Sequence, residues 1–204
     1  MQSPLHFPIQ SSGVLCDEVL ALGLSSFDQL AVYVRSLPYG RTSNTAEPSA
    51  VLLEKRGTCS SKHHLLAAVA HECGHFEVQL TVGIYEMSEQ NTPGVGAVLR
   101  SVSLASIPEA HCYLTVGGER FDFTGLSSGM SSPFDALLTE DIVSPTDLPQ
   151  TKVRLHMHAV ATWAGVVGIS AASAWAAREA WITALAANHT VERDARESGV
   201  RPSP

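Results

Sequence analysis

Three residues have the types that thiol-based acyl chemistry needs: Cys59, His111 and Asp122. In that chemistry a thiolate attacks a carbonyl, an imidazole moves the proton, and a carboxylate orients the imidazole. Cys59 follows Arg56-Gly57-Thr58 and opens a run from Ser60 to His71 in which Leu65, Leu66, Val69 and Ala70 form one stripe. The spacing predicts a buried helix with Cys59 in its first turn. There the helix dipole and free N–H groups favour a thiolate and can hold an oxyanion. His111 and Asp122 sit on the two arms of a predicted hairpin, 110–116 and 119–124, around Gly117-Gly118. A two-residue turn there sets Val116 against Glu119, Leu114 against Phe121 and Tyr113 against Asp122. His111 and Asp122 then become diagonal neighbours on one sheet face, about 7–8 Å apart at the backbone and within side-chain reach. Cys112, Leu114 and Val116 fall on the other face with Phe121 and Phe123, as core.

The elements that must position these residues are partly readable. Leu15–Leu22 predicts a short helix. Ser25-Ser26 caps a second, with Phe27, Leu30, Ala31, Val34 and Leu37 at helical spacing, stopped by Pro38-Tyr39-Gly40. Residues 39–48 read as a polar loop holding Tyr39, Arg41 and Asn44, and 50–54 as a short helix. Gly74 is a natural end for the Cys59 helix. Phe76, Val78, Leu80, Val82 and Ile84 then alternate with Glu77, Gln79, Thr81, Gly83 and Tyr85, which predicts a strand. A loop at 88–97, a helical segment at 97–103, a turn-rich stretch after Gly125 to about Gln150, a strand at 152–158 and a helix at 171–188 complete the reading. Residues 1–12 are expected to dock loosely, and the last 14 to fray.

These residues resemble the transglutaminase-like family of papain-like cysteine enzymes. The likeness rests on Arg56-Gly57-Thr58-Cys59-Ser60-Ser61-Lys62-His63-His64-Leu65-Leu66, the strand from Phe76, Pro108-Glu109-Ala110-His111-Cys112-Tyr113-Leu114, and Arg120-Phe121-Asp122-Phe123-Thr124. It covers about residues 28–125. Where the family has a Trp just after its catalytic His, this chain has Cys112-Tyr113. The resemblance implies an α+β fold with a papain-like core: a Cys-bearing helix packed on a small antiparallel sheet, with flanking helices. The length of the chain suits a single domain over 1–204, with a C-terminal helical part expected at about 152–190. By resemblance Cys59 is the nucleophile, His111 the base and Asp122 the orienter. The reaction is acyl transfer, or amide or ester hydrolysis, through a thioester. No cofactor or metal is called for, and the substrate is a peptide, an amide or a small-molecule acyl compound.

A competing motif is His71-Glu72-Cys73-Gly74-His75, an HExxH run. On an unbroken helix it would present two His ligands to zinc with Glu72 as base, the chemistry of a metallohydrolase. Gly74 inside the run and the strand starting at Phe76 argue that the helix ends first. A catalytically silent binding module on the same fold is the third reading. His63 shares the helix face of Cys59 and could tune it. His156 and His158 would share one face of the 152–158 strand, and Arg120 could meet an anionic group or a cross-strand carboxylate.

The net charge of −7 and the lack of a Lys/Arg stripe argue against nucleic acid. Residues 159–177 carry no charge but are dominated by small residues, so a buried loop and helix is expected rather than a membrane span. The N-terminus has no basic region followed by an apolar run. The four Cys show no CxxC pair and no disulfide pattern, and a cytoplasmic setting is expected.

Overall fold

A computed structural model describes residues 3–126 and 130–180. The helices are α1 (Val14–Ala21), α2 (Phe27–Ser36), α3 (Ala50–Glu54), α4 (Cys59–Glu72), α5 (Gly96–Ser101) and α6 (Leu148–Val167). A further helical segment, α7, covers Ala171–Ala180. The strands are β1 (Gln79–Met87), β2 (Ile107–Val116), β3 (Glu119–Phe121) and β4 (Leu137–Val143). They form one antiparallel sheet in the order β3-β2-β1-β4, so the architecture is α+β with helices flanking a small sheet.

The chain divides into two compact units. The first comprises Met1–Gly83, Ala110–Leu126 and Thr139–Arg154, and the second Ile84–Glu109, Ser127–Leu138 and Leu155–Pro204. The centre of the first unit is α4, which packs against α1, α2 and α3. It buries Leu65, Leu66, Val69 and Ala70, the predicted stripe. It also buries Lys62, His63 and His64, so most of its circumference is interior. Its end is a Schellman motif: His75 N–H bonds Ala70 O at 2.8 Å and Gly74 N–H bonds His71 O at 3.0 Å, with Gly74 at φ 85°. The glycine supplies a left-handed conformation that a side chain would resist.

The hairpin forms in the expected register, with Leu114 opposite Phe121 and Val116 opposite Glu119. Ladder pairing stops at Phe121, so Asp122 lies one residue beyond β3 rather than inside it. Two residues further on, Thr124 leads into Gly125, whose φ is 77°. A Cβ built on Gly125 would stand 2.2 Å from the carbonyl oxygen of Arg35. Both the dihedral and the contact with main chain oppose substitution, so Gly125→Ala is expected to cost about 2–3 kcal/mol, read as a lower denaturant midpoint at unchanged slope.

Four expectations about elements need correction. Residues 3–12 are not loosely docked: Leu5, Phe7 and Ile9 are buried, and Pro8 and Ser26 form an antiparallel bridge. The period-2 spacing of those three apolar residues is the signal that was there to read. β1 starts at Gln79, not Phe76, whose side chain is 68% exposed. Residues 152–158 are helix, not strand, because Val160 and Ala164 continue the buried series from His156 at i, i+4, i+8. The turn-rich stretch contains β4, an edge strand, which buries only Val143 and so lacks a readable alternation. The predicted helix to residue 188, the C-terminal helical part to 190 and the frayed C-terminus extend outside the described residues. Among the described residues no single helix is long and apolar enough to cross a membrane.

Candidate active site

Thr58 is the N-cap of α4. Its hydroxyl accepts from Ser61 N–H while Ser61 Oγ accepts from Thr58 N–H, a reciprocal capping box. The cap fixes the chain's entry angle and makes Cys59 the first helical residue. Helix geometry leaves the N–H groups of Cys59 and Ser60 without an intrahelical acceptor, since the first intrahelical bond runs from Lys62 N–H to Thr58 O.

His111 comes from β2 and Asp122 from the residue after β3. His111 Nε2 donates to Asp122 Oδ2 at 2.8 Å. The other oxygen, Oδ1, accepts from Thr124 N–H at 2.8 Å and from Thr124 Oγ at 2.5 Å. The carboxylate is therefore held on both sides. His111 and the Cys59 thiol are electrostatic neighbours: each moves the other's titration toward the charged form. With Nε2 committed to Asp122, Nδ1 is the ring nitrogen left for the sulfur. The structure thus brings His111 and Asp122 into direct contact, with the Cys59 thiol an electrostatic neighbour of His111.

The electrostatics follow from this geometry. Burial pushes His111 down, but the charge and hydrogen bond of Asp122, with the Cys59 sulfur behind them, carry it up to about 10. Cys59 is held well below the ordinary thiol range: a hydrogen bond from Cys112 contributes most, and the charges of Lys152 and His111 overcome burial. Burial pushes Asp122 up, yet the His111 charge and hydrogen bond hold it well below the usual carboxylate range.

Several participants were not assigned a role from sequence. Lys152, from α6, donates to Ser60 Oγ at 2.7 Å and lies 3.6 Å from Cys59 Sγ. Removing this cation in Lys152→Met is expected to slow alkylation of Cys59 by iodoacetamide at pH 6 by about tenfold, with the alkaline rate preserved. Cys112 reaches Ser60 Oγ at 3.6 Å and lowers the titration of Cys59, so it borders the site instead of only packing the core. Its own thiol is driven up by burial and by the neighbouring Cys59 sulfur, which makes it the proton donor of the pair.

His63 proves to be a buried bridge. Its Nδ1 lies 2.8 Å from Cys59 O and its Nε2 accepts from Phe123 N–H at 2.8 Å. Only the neutral tautomer protonated on Nδ1 satisfies both bonds. Burial accordingly pushes its pKa down, against the pull of nearby Asp122. The ring ties the first turn of α4 to the segment carrying Asp122. Lys62 supports the same junction from below, donating to Leu37 O at 2.6 Å and Thr124 O at 2.7 Å. Burial brings this amine down to about 8.

The HExxH run is dispersed. α4 ends at Glu72, so His75 is off the helix. His71 Nε2 bonds Val78 O at 3.0 Å and His75 Nδ1 bonds Glu77 at 2.8 Å. Glu72 accepts from Leu15 N–H and Cys16 N–H and thereby caps α1. Among the described residues no group of three or more His, Cys, Asp or Glu side chains is arranged to hold a metal ion. Arg120 pairs with the Glu140 carboxylate of β4, which is not the neighbour of β3 in the sheet. Asn44 accepts from Ala46 N–H in a local turn. In the second unit His156 is buried, bonding Pro108 O at 3.0 Å beside the buried Glu109–Arg178 ion pair, whose two hydrogen bonds are each 2.9 Å.

No family model matches the chain, and no curated protein matches it. Among solved structures, a candidate cysteine protease from Cytophaga hutchinsonii is similar over 68% of this chain at 14% identity, with a TM-score of 0.36. This chain spans about half (49%) of that one. A likeness of that size assigns neither family nor activity.

Proposed function

We propose that the chain is a cysteine-dependent enzyme on a papain-like, transglutaminase-like core, which transfers acyl groups or hydrolyses amides or esters through a thioester. One observation carries this reading: His111 is hydrogen-bonded to Asp122 and is the electrostatic neighbour of a thiol at the first residue of a buried helix. The Cys59 thiolate attacks the carbonyl carbon of a peptide, an amide or a small-molecule acyl substrate. The oxyanion so formed takes the first-turn N–H groups of Cys59 and Ser60 as donors. His111, already protonated, gives its Nδ1 proton to the departing amine or alkoxide, and the thioester remains. His111 then removes a proton from water or an acceptor amine, which attacks the thioester and releases Cys59 as thiolate. Asp122 keeps Nε2 engaged throughout, so that Nδ1 always faces the chemistry.

An activated ester tests this directly. With p-nitrophenyl acetate, the protein is expected to release a burst of p-nitrophenol and to carry one acetyl group on Cys59, seen by peptide mass spectrometry. The burst should survive a chelator and vanish in Cys59→Ser. Acetylation elsewhere than Cys59, or a burst unaffected by His111→Ala, contradicts the reading. Loss of the burst in the chelator contradicts it as well.

A further inference from the structure

We propose that Cys16 and Cys73 are a disulfide-forming pair, a covalent modification site that joins α1 to the C-terminal end of α4. The two sulfurs lie 3.1 Å apart although 57 positions separate them in sequence. A disulfide bond is about 2.05 Å long, so the sulfurs need approach by only about 1 Å. Both thiols are free. Their carriers are fixed: α1 packs on α4, and the Glu72 carboxylate, next to Cys73, holds the N–H groups of Leu15 and Cys16. Backbone and side chain together therefore keep the two thiols facing each other. The inference is independent of the acyl-transfer reading, since Cys73 and Cys16 meet at the C-terminal end of α4 and Cys59 stands at its first residue.

The two thiols differ in access, which gives the reaction its order. Cys16 is fully buried and Cys73 is half-buried. Cys73 is thus the thiol that meets a small-molecule disulfide such as glutathione disulfide. Its thiolate attacks one glutathione sulfur, breaking that S–S bond, and one glutathione leaves as thiolate. The Cys16 sulfur then attacks the Cys73 sulfur of the mixed disulfide and releases the second glutathione. Two protein thiols are oxidised, one glutathione disulfide is reduced to two thiols, and the two protons lost by the cysteines end on the departing glutathiones. Burial, with the hydrogen bond to Cys73 behind it, pushes the Cys16 thiol up and keeps it protonated until the mixed disulfide forms beside it.

The test is to equilibrate the whole protein with glutathione disulfide in large excess over glutathione, quench with acid, alkylate and map peptides. The expected product has lost two hydrogens, has two fewer alkylatable thiols than the reduced protein, and yields a linked peptide pair containing Cys16 and Cys73. It should form equally in a Cys59→Ser background and be absent in Cys73→Ser. Glutathione retained on Cys73 with Cys16 alkylated overturns the proposal. So does linkage of either cysteine to Cys59 or Cys112, or full alkylation of both Cys16 and Cys73.

Discussion

In His111→Ala, alkylation of Cys59 by iodoacetamide at pH 6 is expected to fall by about 10²-fold, and the pH profile should move back toward that of an ordinary thiol. Two changes act together. The imidazolium that stabilises the thiolate is gone, and the Asp122 carboxylate, no longer neutralised, is left facing the sulfur's neighbourhood. In the intact protein His111 is protonated up to about pH 10 and Cys59 is held below the ordinary thiol range. The reactive pair therefore occupies the window between the two. Reactivity should rise through the Cys59 titration, stay level, and change again near the upper limit as His111 loses its proton. The measurement is the rate against pH for both proteins, with the alkylated residue identified by mass. A rate at pH 6 that His111→Ala leaves unaltered would mean that Cys59 is merely a reachable thiol. Cys112 and Lys152 keep part of the thiolate stabilisation in the variant, so a residual rate above that of a free cysteine is expected.

The second large effect is on stability. His63→Leu is expected to destabilise the fold by about 2 kcal/mol, read from denaturant unfolding at pH 7. Leucine preserves most of the volume but makes neither bond. The Cys59 carbonyl keeps its intrahelical bond from the N–H of residue 63, but the part-buried Phe123 N–H would lose its acceptor beside a fully buried side chain. Each unsatisfied buried group costs about 1–3 kcal/mol. A variant that could still accept from Phe123 N–H, His63→Gln, should recover part of the loss. Because the ring ties the Cys59 turn to the Asp122 segment, the leucine variant should also slow the acetylation burst where folded protein remains. Unchanged stability in His63→Leu would show that the bridge is not a structural tie.

The sequence by itself determined the local pieces. The stripe of Leu65, Leu66, Val69 and Ala70 specified α4, Gly74 its end, and Gly117-Gly118 the hairpin register, because each rests on period and turn chemistry within a few residues. His111 and Asp122 were legible as a pair for that reason: one tight turn connects their strands. Where burial is two-sided or slight, the period fails. β1 is interior on both faces, β4 is an exposed edge, and a short window over 152–158 mistook a helix for a strand. Only tertiary structure decided what surrounds Cys59. Lys152 reaches it across 93 positions, and His63, though only four residues away, could not be known as a bridge until Phe123 N–H was placed against it. The same holds for Cys16 and Cys73, which have no motif spacing and meet because α1 packs on the end of α4. Such meetings depend on how several helices pack against one another, and no periodicity in one segment encodes the position of another.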